Sequence, residues 1–140
     1  MTTRLNPYLA FRDTARDAMT FYQSVFGGDL TVSTFADFHA SDDPDEADKV
    51  MHSQLTANNE FVLMAADTPK SMEVPSAGYS LSVSGDDDAR LRGYWEKLID
   101  GGKVTMPLEQ APWGDTFGMC TDRFGINWMV SISGQPPESA

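Results

Sequence analysis

"TARDAMTFYQSVFGG" (14–28) and "DDDARLRGYWEKLIDGG" (86–102) are two versions of one pattern, and their recurrence decides the fold. In the first, apolar residues stand at 15, 18, 19, 22, 25 and 26, a single stripe on a helix. In the second they stand at 91, 94, 95, 98 and 99. Each ends in two glycines, which stop a helix, and the second opens on acids that suit the positive end of the helix dipole. Thr14 with Asp17 three residues on has the spacing of a capping pair.

Strands flank both helices. "LNPYLAFRD" (5–13) precedes the first, with Leu9 and Phe11 on one side and Tyr8 and Ala10 on the other. "DLTVSTFADF", "KVMHSQLTAN" and "EFVLMAAD" follow it, the last two joined by the turn-like Asn58-Asn59. "GYSLSVS" (78–84) precedes the second helix, and "KVTMPLEQ", "DTFGMCT" and "INWMVSI" follow, with Pro107 suited to an edge or a bulge. Leu9-x-Phe11 pairs with Leu81-x-Val83, Phe21-Tyr22 with Tyr94-Trp95, Val25-Phe26 with Leu98-Ile99, and Gly27-Gly28 with Gly101-Gly102. The chain therefore reads as two βαβββ modules, about 5–67 and 78–133. They make one α+β domain over 1–134, followed by a loose tail at 135–140.

One helix shields only one face of its sheet, so each module needs a cover for the other face. Two curved sheets side by side would enclose a cleft. Alternation sends Asn6, Tyr8, Ala10, His52, Gln54 and Thr56 toward it, together with Asn127, Met129 and Ser131. Leu9, Phe11, Met51, Leu55, Trp128, Val130 and Ile132 then belong with the helices. "DRFGINWMV" (122–130) becomes a turn and a strand that buries both faces and walls the cleft. Apolar walls with a few orienting polar groups are what a small-molecule pocket needs. The alternative is that Gln54, Thr56 and Ser131 simply face solvent.

A chain of 140 residues with 41% hydrophobic content can bury a real core. Its net charge of -11 disfavours non-specific binding to nucleic acid or an anionic membrane, because the field repels phosphates. No apolar run approaches the roughly 20 residues that cross a bilayer, and the start lacks a signal-peptide core, so a cytoplasmic protein is expected. Cys120 stands alone, which precludes an intramolecular disulfide. Its place in a strand suggests a buried inert thiol in preference to a nucleophile. The acidic stretch at 37–49 reads as a mobile solvated loop, since its carboxylates lack the spacing of a calcium loop.

The doubled order, "FYQSVFGG", "VMHSQLTANNEFVLMAAD" and "WGDTFGMCTDRFGINWMV" together resemble the vicinal oxygen chelate superfamily (the glyoxalase/bleomycin resistance proteins), most closely its PhnB-like branch. The resemblance covers residues 5 to 133. Its most specific part is the run carried by Trp113, Phe117, Gly118, Asp122, Phe124, Gly125 and Trp128. It implies paired βαβββ modules, a homodimer and a pocket in the sheet concavity. In metal-using members, four His, Glu or Gln ligands hold a divalent ion. Those positions fall here near Asn6, Leu63 or Met64, Gly78 or Tyr79, and Met129, none a His or a carboxylate. Such side chains do not supply the donors a divalent ion needs, so no metal and no other cofactor is expected. The remaining metal option is His52 with Asp115 or His39 in an unconventional site, and it is not favoured.

Demethylubiquinone methylation is another activity attached to this branch. The sequence shows no glycine-rich strand-to-helix turn of the kind that cradles nucleotide-like cofactors, because its glycine pairs end helices. Three readings compete. The first, which we favour, is a metal-free small-molecule-binding protein whose ligand is touched by Tyr8, His52, Gln54, Trp113, Asp115 and Met129. The second is a lyase, isomerase or dioxygenase using either the unconventional metal site or His52, whose ordinary pKa lies near neutrality, as a proton shuttle. The third is an interaction module whose acidic loop meets a basic partner. Trp113 can stack on a ligand or plug a seam, and Tyr8, Phe117 and Met129 can equally be packing residues.

Overall fold

The computed structural model describes residues 5–38, 44–57, 61–73 and 79–134. The chain divides into two compact units, residues 1–76 and 77–140. The first runs β1 (Tyr8–Phe11), α1 (Ala15–Phe26), β2 (Asp29–Thr34), a 3-10 turn (Ala36–Phe38), β3 (Val50–Ala57) and β4 (Phe61–Asp67). The second runs β5 (Leu81–Gly85), α2 (Asp88–Ile99), β6 (Lys103–Gln110), β7 (Thr116–Thr121) and β8 (Asn127–Ile132). Their sheets have orders β1-β4-β3-β2 and β5-β8-β7-β6. In both, the strand before the helix pairs parallel with the module's last strand, and the other pairs are antiparallel. This is the doubled α+β architecture expected from the repeat.

Hydrogen bonds correct the register of that repeat. Thr68 N–H donates to Phe11 O and Ser133 N–H donates to Gly85 O, each closing the parallel pair one residue past its last partners. Phe11 is therefore the counterpart of Gly85, and Leu9 that of Val83. The pairing of Leu9 with Leu81 was two residues out, because β5 runs over 81–85 where the sequence suggested 78–84.

Both helices lay down the stripe that their spacing predicts. Ala15, Ala18, Met19, Tyr22, Val25 and Phe26 are buried in α1, as are Leu91, Tyr94, Trp95 and Leu98 in α2, while Ile99 is half-buried. Leu9, Phe11, Leu55, Leu63 and Ala65 complete the first core. Val83, Cys120, Trp128, Val130 and Ile132 belong to the second. Burying aliphatic and aromatic side chains of this size contributes about 1.5–3 kcal/mol each. The glycine pairs also serve packing. A Cβ on Gly28 would lie 2.3 Å from Thr56 O, and one on Gly102 would lie 2.4 Å from Thr121 O, so each helix end presses on a strand that only glycine can approach.

Three local expectations change. The strand at 127–132 buries one face and leaves the other half-buried. Met51 is half-buried, and Val50 takes the helix-side place at 1% exposure, because β3 bulges there. The described part of the acidic loop is tied down. Glu46 is buried and accepts from Lys70 N–H at 3.0 Å, and Lys49 Nζ reaches Asp13 at 2.7 Å. His39, Asn58, Asn59, Gly78 and the tail at 135–140 lie outside the described residues.

Candidate functional site

β1 and β3 carry the predicted residues of the first unit. The alternation that buries Leu9 and Phe11 turns Tyr8 and Ala10 to the open face of the sheet, and the one that buries Ser53 and Leu55 turns out His52, Gln54 and Thr56. Tyr8 pairs with Met64, Met64 with Gln54, and Gln54 with Thr31, so these four make one row across the sheet. His52 stands one row along, opposite Ser33. Tyr8 Oη lies 3.0 Å from His52 Nδ1, with the rings 5.7 Å apart and tilted by 37°. β4 runs between β1 and β3, so this contact spans a strand. Gln54 Nε2 donates to Thr56 Oγ1 at 3.2 Å.

This face is uncharged at its centre and rich in groups that both donate and accept. Burial pushes the Tyr8 hydroxyl above its ordinary pKa, so it stays a phenol. As a phenol it donates to a bare Nδ1 or accepts from a protonated one. Either way one imidazole nitrogen is engaged by tyrosine, and a proton has a two-residue path.

In the second unit, Met129 lies on the open face of β8, in a row with Ser82, Met119 and Met106. This methionine ladder is polarisable and adaptable. Trp113 is 67% exposed in the β6–β7 turn, with its ring 6.4 Å from Phe117. Asp115 makes a bond within the fold. Its Oδ1 accepts from Gly134 N–H at 2.9 Å, which fastens the chain after β8 to the turn. The structure thus brings Tyr8 and His52 into contact, sets Gln54 beside them on the same face, and gives Asp115 a structural bond.

The motif run at the end of the chain is explained by folding. Asp122 is buried, and its Oδ1 accepts from Phe124 and Ile126 N–H while Oδ2 accepts from Trp128 Nε1 at 2.8 Å. Gly125 turns the hairpin at φ 87°, and Gly118 leaves room for the Trp95 indole. Asp67 is a carboxylate that sequence reasoning missed. It is buried, taking Ala15 N–H on Oδ1 and Val50 N–H on Oδ2, both at 2.9 Å. Its signal was an acid closing an otherwise apolar strand.

The positions of the four-ligand ion site do not fit a divalent metal. Leu63 is buried on the helix side, and Asn6, Met64, Tyr79 and Met129 offer no anionic oxygen or imidazole. Among the described residues, no group of three or more His, Cys, Asp or Glu is placed to hold an ion. A nucleotide-like methyl donor fits no better. The start of α1 is already met by the Asp67 carboxylate and that of α2 by Asp87, which accepts from Arg90 N–H, so both positive helix ends face acids. No helix among the described residues is long and apolar enough to cross a membrane, which says nothing of β-barrels.

A family model described as 3-demethylubiquinone-9 3-methyltransferase matches residues 3–131. The structure of protein PA1353 from Pseudomonas aeruginosa is 35% identical, with a TM-score of 0.80 over 96% of this chain and 100% of that one. A PhnB protein from Bacillus cereus is 24% identical, with a TM-score of 0.74 over 94% and 100%. A glyoxylase/bleomycin resistance protein/dioxygenase domain from Frankia sp. EAN1pec is 14% identical, with a TM-score of 0.65 over 96% and 99%. The last two are likenesses of fold.

Proposed function

Since the chain belongs to the PhnB-like family described as 3-demethylubiquinone-9 3-methyltransferase, with the glyoxalase/bleomycin resistance fold, we propose that it binds a small uncharged organic molecule on its open sheet faces, without the four-ligand ion. The observation that carries this reading is the Tyr8–His52 contact on a face that also carries Ala10, Gln54, Thr56, Met64 and Ala66, with the β2 residues Thr31 and Ser33 beside them and Asp29 at its edge. That face offers directed hydrogen bonds among apolar groups and no fixed charge at its centre, which suits a neutral ligand with carbonyl or hydroxyl groups. The second unit, taken by itself, offers apolar area at Met129 on its own open face and at the exposed Trp113 of its β6–β7 turn. A homodimer in the cytoplasm is part of the same reading; sedimentation as a monomer at micromolar concentration would remove the first half of it.

The test is a thermal-shift screen of neutral metabolites on the protein, His52→Ala and Tyr8→Phe. A hit should stabilise the wild type and lose at least about tenfold in affinity on His52→Ala, the worth of one directed hydrogen bond to a buried ligand. Affinity unchanged in both variants would overturn the site. EDTA should leave the wild-type melting point and ligand affinity where they were.

The tyrosine–imidazole path favours a second reading, proton transfer to or from the bound molecule. It is tested by solvent-deuterium incorporation into each hit: exchange that His52→Ala abolishes supports it, and no exchange in any hit discards it.

A further inference from the structure

β3 contains one residue more than its partner. Ser33 pairs with His52, yet the next residue of β2, Thr34, pairs with Val50, so Met51 is a β-bulge. Its effect on side chains is decisive. In an unbroken strand Val50 and His52, two residues apart, share a face. Here Val50 is 1% exposed on the helix side while His52 stands on the open face against Tyr8. One extra residue lets the chain enter the sheet with an apolar anchor inside and still deliver the imidazole outside.

Something must hold that bulge, since its backbone leaves the ladder. Val50 N–H donates to Asp67 Oδ2. The same buried carboxylate receives Ala15 N–H at the start of α1, and its own residue pairs with Phe11, three positions along β1 from Tyr8. Asp67 is thus bonded to the bulge two residues from His52 and joined to the strand that carries Tyr8. It touches neither ring.

We propose that Asp67 is a positioning residue for the Tyr8–His52 pair, acting through the Val50–Met51 bulge. The proposal rests on the reading of that pair as the binding group, but its test needs no ligand. The chain has two histidines, so the ring nitrogens of His52 are resolved in a long-range proton–nitrogen correlation spectrum once His39→Gln removes the other set. Asp67→Asn keeps shape and one acceptor but sets an amide N–H₂ against a backbone N–H. It should shift the His52 Nδ1 resonance toward that of Tyr8→Phe, in which the contact is gone. Asp122→Asn, at the buried carboxylate of the second unit, is the control for lost stability and should leave that resonance in place.

If Asp67→Asn melts at a lower temperature with His52 nitrogen shifts equal to wild type, Asp67 is only structural and the proposal is overturned. If Asp67→Asn does not fold, Asp67→Glu, which keeps both acceptors one methylene further out, is read by the same spectrum with the same two outcomes. Failure of the ligand screen alone leaves these spectra decisive, so the two ideas fall separately.

Discussion

Thr14-x-x-Asp17 and Thr34-x-x-Asp37 have the same spacing, and only the second closes into a reciprocal cap. Thr34 N–H donates to Asp37 Oδ2 and Asp37 N–H to Thr34 Oγ1. At Thr14 no side-chain cap bond forms: its ψ of 7° departs from the extended backbone that turns a cap oxygen onto the second and third helical N–H groups, while the first, Ala15 N–H, goes to Asp67. Motif spacing sees neither the backbone angle at Thr14 nor an acceptor 52 residues away in sequence. Thr14→Ala should therefore change stability by less than about 0.5 kcal/mol in urea titration, against the loss of roughly 1 kcal/mol at a working cap. The Asp37 carboxyl is held below its ordinary pKa chiefly by the Thr34 backbone N–H, with the Thr34 hydroxyl second. Thr34→Ala should raise it in an NMR titration. Cys120 answers the sequence reading of an inert thiol: it is 1% exposed, and burial, then the Asp122 charge, push it up to about 11. The unfolded thiol ionises first, so this contribution to stability is complete below about pH 9 and lost as pH rises through about 11. Cys120→Ala should flatten that alkaline decline, and native Cys120 should resist thiol reagents at pH 8.

At the scale of elements, periodicity made both helices and their buried faces legible, because amphipathic spacing is a local property. The β3 bulge and the register of β5 were not legible, because each is defined only by the strand opposite. The motif run was legible as a signature but not as a mechanism. Gly118 shows what it does. A Cβ there would meet Leu108 Cα and the Trp95 ring, each at 2.9 Å, so α2 packs on β7 through the missing side chain. Gly118→Ala should cost about 1–3 kcal/mol by overpacking. Trp95→Phe in the same chain should recover only part of this, since the Leu108 contact is backbone and cannot retreat. Denaturant midpoints of the double-mutant cycle measure the coupling. Full additivity would mean that Trp95 swings away freely.

For the whole molecule, charge balance is the property that neither helix nor strand accounts for. Twenty-one acidic residues stand against ten Lys and Arg. Asp67, Asp122 and Glu46 are buried and spend their oxygens on N–H groups. The ion pairs Lys49–Asp13, Arg92–Asp88 and Arg123–Asp100 compensate others at partly exposed sites, where each is worth at most about 1 kcal/mol. The surplus lies at exposed positions such as Asp29, Asp48, Asp86 and Glu109, and like charges oppose the compact state. The fold tolerates this because its cohesion is apolar burial, and the tyrosine–histidine face is uncharged at its centre. Sodium chloride raised from about 10 to 150 mM shortens the screening length from roughly 30 to 8 Å. Stability at pH 7 should then rise, by on the order of 1 kcal/mol, and affinity for a neutral ligand should not move. Urea midpoints and titrations at both salt levels check this. A midpoint that falls with salt would show that the paired charges outweigh the surplus. An affinity that weakens with salt would mean the ligand is a cation drawn by the acidic field, so the sheet face would not be the site that holds it.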